Sequence, residues 1–213
     1  FETPDHKYRG FPDASEQTFR EMKAAYYGMV SQLDWQLGLT LEMLEERGLA
    51  ENTIVVFTSD HGEFLGDHGI PAKAPFLLDC MLHVPCIVRA PGIAQGTISH
   101  SLSESVDLFP TIARLAGLEP PAWVQGRDLG PLLAGETPSG SDQRTAVYAE
   151  AVDKRCVRTE EWKYIHYPGK PYGELYHVAE DPHELENLYE REIEVRKEMQ
   201  DLYYRTLDLT EDF

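Results

Sequence analysis

Cysteine is scarce in this chain: the three residues, Cys80, Cys86 and Cys156, are too few and too scattered for a disulfide framework, and none forms a Cys-x-x-Cys pair. Positive charge is scarce as well, with 19 Lys and Arg against 37 Asp and Glu and a net charge of −18. Such a field repels nucleic-acid backbones and anionic lipid surfaces, so neither is expected as a partner. No apolar run approaches the ~20 residues that a membrane-spanning helix needs, which sets aside a membrane partner. No Met opens the sequence, which starts at Phe1, so a leader peptide would be invisible and the compartment stays open between cytoplasm and periplasm or secretion. What the chain does have is core material: 42% hydrophobic residues over 213 positions suffice for one or two domains.

The chain is organised around Thr53-Ile54-Val55-Val56-Phe57, five β-favouring residues that read as a strand buried on both faces. Thr58-Ser59-Asp60-His61-Gly62 follows directly, then Leu65-Gly66-Asp67-His68-Gly69 and Lys73. In open parallel sheets the carboxyl ends of strands face the ligand crevice, so Asp60 and His61 are expected at the rim of a site. A hard carboxylate oxygen beside a borderline imidazole nitrogen suits a divalent cation. An Asp-His-Gly after a strand is by itself also an ordinary turn; the second Asp-His-Gly and Lys73 on the same loop concentrate more ionisable groups than a turn requires.

Ser15 is a candidate N-cap for a long amphipathic helix in which Phe19, Met22, Tyr26, Met29, Leu33, Leu37, Leu41 and Leu44 recur every three or four residues, and Gly48 supplies its stop. Asp34 on that helix is expected to be hydrogen-bonded, and residues 1–14 form an irregular leading loop. Val84 to Arg89 reads as a second strand with Cys86 as a core residue, and Ser105 to Gly117 as a short helix capped near Asp107. Residues 135–144 read as a linker rich in Gly, Pro, Ser and Thr. Beyond it, Ala146–Val152, Arg155–Thr159, Trp162–Tyr167 and Glu174–Val178 predict a small antiparallel sheet, closed by a helix through Val195, Met199, Leu202 and Thr206 and an acidic, frayed tail. His83 and His100 are expected at the surface, and His166, His177 and His183 lack zinc-motif spacing.

The order Thr58-Ser59-Asp60-His61-Gly62, Leu65-Gly66-Asp67-His68-Gly69, Lys73 and Val84-Pro85-Cys86-Ile87-Val88-Arg89-Ala90-Pro91-Gly92 is similar to the sulfatase family of the alkaline phosphatase superfamily. Val106-Asp107-Leu108-Phe109-Pro110-Thr111, Gly126 to Leu133, and Glu174-Leu175-Tyr176 with Asp181-Pro182, Glu184, Asn187 and Leu188 extend the likeness over most of the chain. The resemblance implies an α/β fold, with part of an alkaline-phosphatase-like sheet and flanking helices in residues 1–134 and a small antiparallel α+β subdomain in residues 145–213. It also implies that Asp60 and His61 ligate a divalent cation, calcium in the first place with manganese or zinc as alternatives. By the same resemblance Lys73 contacts sulfate oxygens, and His68 belongs to the site's vicinity.

No Cys or Ser here stands in the Cys/Ser-x-Pro-x-Arg context that sulfatases convert to formylglycine, so the resemblance is to the C-terminal portion of a longer enzyme. The expected partners are a small anionic sulfate ester, the N-terminal half of the same protein, and a second copy of the chain through exposed sheet edge. These 213 residues alone are expected to be inactive, the full enzyme being a sulfuric ester hydrolase. A phosphodiester or phosphonate monoester hydrolase, and a noncatalytic binding or assembly module, are the alternatives.

Overall fold

The computed structural model describes residues 14–136 and 143–211, side chains being described as far as residue 207. The expected leading loop, most of the expected linker and the side chains of the tail lie outside the described residues. Two compact units form, one from the residues up to 74 with 83–91, the other from 75–82 with the residues from 92 onward.

In the first unit, helix α1 spans Glu16–Glu46, and Ser15 Oγ accepts a hydrogen bond from Thr18 N at its start. Gly48, with φ 67°, ends it, as the left-handed stop requires. Apolar residues lie on more than one side of α1, yet none is buried, and Tyr27, Leu33 and Trp35 are each about three-fifths exposed. Asp34 is also exposed and has no hydrogen bond among the described residues, because it points from a stretch of helix that nothing described covers. Strand β1, Val55–Thr58, pairs antiparallel with β2, Cys86–Arg89, in the register Val55↔Arg89 to Thr58↔Cys86.

That pairing corrects two expectations about detail. β1 is half-buried rather than buried on both faces, and the strand beside it is antiparallel: the loop between them holds no crossover helix of the length a parallel connection needs. Cys86 is exposed rather than in the core, since β2 has a single neighbouring strand among the described residues.

The second unit is built on a four-stranded antiparallel sheet in the order β3, Val147–Ala151; β4, Lys154–Arg158; β5, Lys163–His166; β6, Gly173–Tyr176. Period-two alternation gives the sheet two different faces. Tyr148, Val157, Tyr164 and Leu175 lie opposite one another across the strands and pack with Tyr189, Met199 and Tyr203, where helix α5, Ile193–Glu211, covers them. The other face carries Lys154, Cys156 and Arg158 of β4, Lys163 and Ile165 of β5, and Glu174 and Tyr176 of β6.

On that second face Lys163 is fully buried. Its Nζ is paired with the carboxylate of Asp79, at the start of the short helix α2, Asp79–Leu82, and lies 2.6 Å from Glu184 Oε1 as an ion pair outside hydrogen-bond alignment. Arg158 Nη2 reaches Asp79 Oδ2 at 3.1 Å, and Asp79 N donates to Glu184 Oε2 at 2.6 Å. Burial acts to raise the Asp79 pKa, but Lys163 and Arg158 together outweigh it and hold the carboxyl below its ordinary value. Burial raises the Glu184 pKa, with Lys163 only partly opposing it. On the same face the buried Cys156 thiol is pushed up to about 12 by burial.

A second buried carboxylate organises helix α3, Leu108–Leu115. Asp107 Oδ1 accepts from Arg127 N at 2.7 Å and Arg144 Nη2 at 2.6 Å, and its Oδ2 accepts from Glu104 N at 2.7 Å, completing a capping box with Glu104. Thr111 Oγ1 relays the set by accepting from Leu129 N, which leads into helix α4, Gly130–Leu133. This close approach needs glycine at 126, where a Cβ would stand 2.0 Å from the Val106 carbonyl oxygen.

Two outcomes follow. Gly126→Ala forces backbone apart and should cost about 3 kcal/mol, read as a lowered Tm. Asp79 keeps its charge in the folded state below the pH at which the unfolded chain takes up a proton near 3.8, so its contribution is present above that pH and is lost as pH falls through the folded value. Asp79→Asn should therefore lose less stability than the native sequence on going from about pH 4 to pH 3, measured by urea unfolding at each pH.

Candidate active site

β1 delivers Ser59, Asp60 and His61 at its carboxyl end, and a short lattice of hydrogen bonds fixes how they stand. Ser59 Oγ donates to the His61 carbonyl at 2.8 Å, and His61 N donates to Asp60 Oδ1 at 3.1 Å. His61 Nδ1 lies 2.8 Å from the Gly62 carbonyl oxygen. A carbonyl can only accept, so a neutral His61 carries its proton on Nδ1 and presents a lone pair at Nε2. That nitrogen is 3.6 Å from Asp60 Oδ2 and 3.3 Å from Lys73 Nζ. Asp60 is 86% exposed at its side chain, so its second oxygen is open to an incoming ligand.

The spacing suits a cation. Ligand bonds of about 2.0–2.3 Å place neighbouring donors about 3–3.5 Å apart, close to the Oδ2–Nε2 separation. The backbone anchor on Nδ1 is the arrangement that orients imidazole ligands elsewhere. Among the described residues no group of three or more His, Cys, Asp and Glu side chains is gathered for a metal, so this chain offers two donors and an ammonium.

Beyond His61 the loop folds tightly. Asp67 N donates to Phe64 O at 2.9 Å, Gly69 N to Gly66 O at 3.0 Å, Ile70 N to Asp67 O at 3.0 Å, and Gly66 N to Ile70 O at 2.7 Å. Phe64 and Ile70 are fully buried and seat the loop. His68 has a left-handed backbone, φ 54°, which for a residue with a side chain costs about 1 kcal/mol or more and is kept only where surroundings impose it. Its ring meets Phe64 edge-on with centroids 6.3 Å apart.

The structure thus brings Asp60, His61 and Lys73 together and places His68 on the adjoining turn. Sequence reasoning gave Ser59 no task and took Gly62 only as a glycine that lets the backbone turn; a serine beside the carboxylate was a readable signal, whereas the Gly62 carbonyl left none. The elements containing His166 and His177 give those rings other company: Tyr164 OH is 3.0 Å from His166 Nδ1, and Trp162 stacks on His177 at 4.2 Å.

Comparison with known proteins identifies the family. The sulfatase family model matches residues 2–118, and a second model, N-sulphoglucosamine sulphohydrolase C-terminal, matches residues 66–209. The chain belongs to the sulfatase family. It is 36% identical over 182 residues to an N-acetylglucosamine-6-O-sulfatase of Bacteroides thetaiotaomicron, covering 80% of this chain and 32% of that one. A solved enzyme in complex with its substrate D-glucosamine-2-N,6-O-disulfate superposes with a TM-score of 0.77 at 34% identity, over 86% of this chain and 40% of its own. A phosphonate monoester hydrolase of Agrobacterium radiobacter superposes at 0.80 with 30% identity, over 93% and 43%. The chain spans about a third of the length of the curated relatives it matches. No helix among the described residues is long and apolar enough to cross a membrane.

The tautomer is open to test: long-range 1H–15N spectra at neutral pH should show His61 protonated at Nδ1, and Nε2 should carry the unprotonated nitrogen's shift.

Proposed function

We propose that this chain supplies the cation-binding part of a sulfatase that hydrolyses a small anionic sulfate ester, its nucleophile, a formylglycine, coming from sequence outside these residues. The observation that carries the reading is that Asp60 Oδ2, at 3.6 Å, and Lys73 Nζ, at 3.3 Å, both approach His61 Nε2 beyond the end of one strand. Asp60 and His61 would hold a divalent cation, calcium first, with manganese or zinc as alternatives that the imidazole also suits. When bound, such an ion supplies positive charge against which a sulfate ester and an ionised nucleophile are stabilised.

The remaining work is done by side chains of this chain. The Gly62 carbonyl keeps His61 in the ligating tautomer without a proton on Nε2, while Ser59 ties down the His61 backbone carbonyl. Lys73 is a compact ammonium with three donors, suited to sulfate oxygens whose charge grows as the ester bond breaks. His68, on the turn, stands near enough in sequence to serve the same anion. In domain terms we take residues 1–134 as the catalytic part, 135–144 as a linker and 145–213 as a subdomain. The likeness to a phosphonate monoester hydrolase keeps a phosphoryl ester as the second reading, on the same residues.

The test is kinetic, on the full-length protein. It should turn over 4-nitrophenyl sulfate faster than a phenylphosphonate ester. Lys73→Ala should lower kcat/KM by about 10²–10³-fold, and Asp60→Ala should remove calorimetric binding of calcium and manganese. Preference for the phosphonate ester would shift the reading to phosphoryl chemistry. Cation binding unchanged in Asp60→Ala would end the reading altogether, as would turnover by these 213 residues alone.

A further inference from the structure

Four of the five residues from Leu65 to Gly69 have left-handed backbone: φ is 49° at Leu65, 99° at Gly66, 54° at His68 and 73° at Gly69. Two of these carry side chains, so local preference opposes the turn that bears His68. The turn's own hydrogen bonds close it, but the same bonds would form wherever it sat. Phe64 and Ile70 seat its two ends, and its middle is held from α1. A Cβ on Gly66 would stand 2.7 Å from Phe19 Cδ1 and 3.1 Å from Cγ, so the ring lies directly against bare backbone. One helical turn later, Lys23 Nζ is 3.5 Å from Asp67 Oδ1. Residues four apart share a helix face, so α1 presents a ring and an ammonium side by side to two consecutive residues of the turn. Both are half-buried, in a helix whose following stretch from Tyr27 to Gln36 is exposed throughout. Arg20, between them in sequence, turns instead to Glu16 at 2.7 Å.

We propose that Phe19 and Lys23 are positioning residues that hold the Gly66–Gly69 turn, and His68 on it, in place on the loop that also carries Asp60, His61 and Lys73. The part of this that concerns turnover rests on the sulfate-ester reading. Phe19 acts by shape: its ring admits glycine alone at 66 and blocks the turn from relaxing toward the helix. Lys23 acts by charge, fixing the Asp67 carboxylate, which would otherwise add to the negative field where an anionic substrate must arrive.

The test has two arms on the full-length protein. Amide hydrogen exchange reads position without activity: Phe19→Ala should speed exchange at Gly66 and Ile70 by about tenfold and Lys23→Met by about two- to fivefold, while the amides of β1 keep their native rates. Steady-state kinetics read consequence: Lys23→Met should lower kcat for 4-nitrophenyl sulfate by about tenfold with KM changed far less, and Lys23→Arg should restore it. Exchange that is unchanged, or that quickens equally across β1 and the turn, overturns the proposal. So does a Lys23→Arg variant as impaired as Lys23→Met. If the unsubstituted protein shows no sulfate-ester turnover, it is the functional reading that fails, and the exchange arm still decides whether α1 positions the turn.

Discussion

The second unit depends on one buried ammonium. Lys163 has no exposure to water, so its charge is tolerable only because Asp79 and Glu184 meet it, with Arg158, paired with Asp79, supplying the second positive charge. Glu184 lies 105 residues from Asp79, so the set ties the chain before β2 to the turn before α5. Removing one member leaves the others charged without a partner, at a cost of about 3–5 kcal/mol. The sheet's alternation therefore yields a dry aromatic face under α5 and a polar buried face held by charge. Nearby, Glu174 accepts from Tyr167 and Tyr176 within the same buried layer.

A chain so poor in cations places several of them in its scaffold. Lys163 and Arg158 hold Asp79, Arg144 holds Glu104 and Asp107, and Lys154 lies over Phe76 and Tyr167 beside Asp153. Each of these cations is engaged by carboxylates of its own cluster, so none contributes a free positive charge. The ammonium of Lys73 is different: its near neighbours are an imidazole nitrogen at 3.3 Å and, through that ring, an exposed carboxylate. Local positive charge at the end of β1 thus depends on few groups, which is the condition under which a bound divalent ion changes most.

Much of the architecture was legible before any coordinates. The helix from Ser15 to Gly48, the four strands of the second unit and the closing helix follow from periodicity and turn residues; their observed bounds differ by one or two residues, except that the closing helix runs five residues past Thr206 into the tail expected to fray. Asp60, His61 and Lys73 were named from residue chemistry and resemblance. What sequence could not show is contact between distant positions. Nothing local distinguishes Lys163 from a solvated lysine, and the Asp79–Glu184 link has no periodic trace. The burial expected for β1 and Cys86 failed for the same reason: an apolar run states a preference for burial, whereas burial itself needs neighbours. Glu184 with φ 53° and His68 with φ 54° show the complementary case, tertiary contacts imposing a backbone that their residue types do not favour.

The thiol of Cys156 sits in the layer that Lys163 organises, one strand away, with its acidity suppressed by burial. Since only thiolate reacts, that sulfur is silent toward alkylating reagents for as long as the layer stays shut. Cys86, in the other unit, is exposed among the described residues, and burial raises its thiol as well, though without pushing it as far as Cys156. The lag between the labelling of Cys86 and that of Cys156 therefore times how often the charged layer opens.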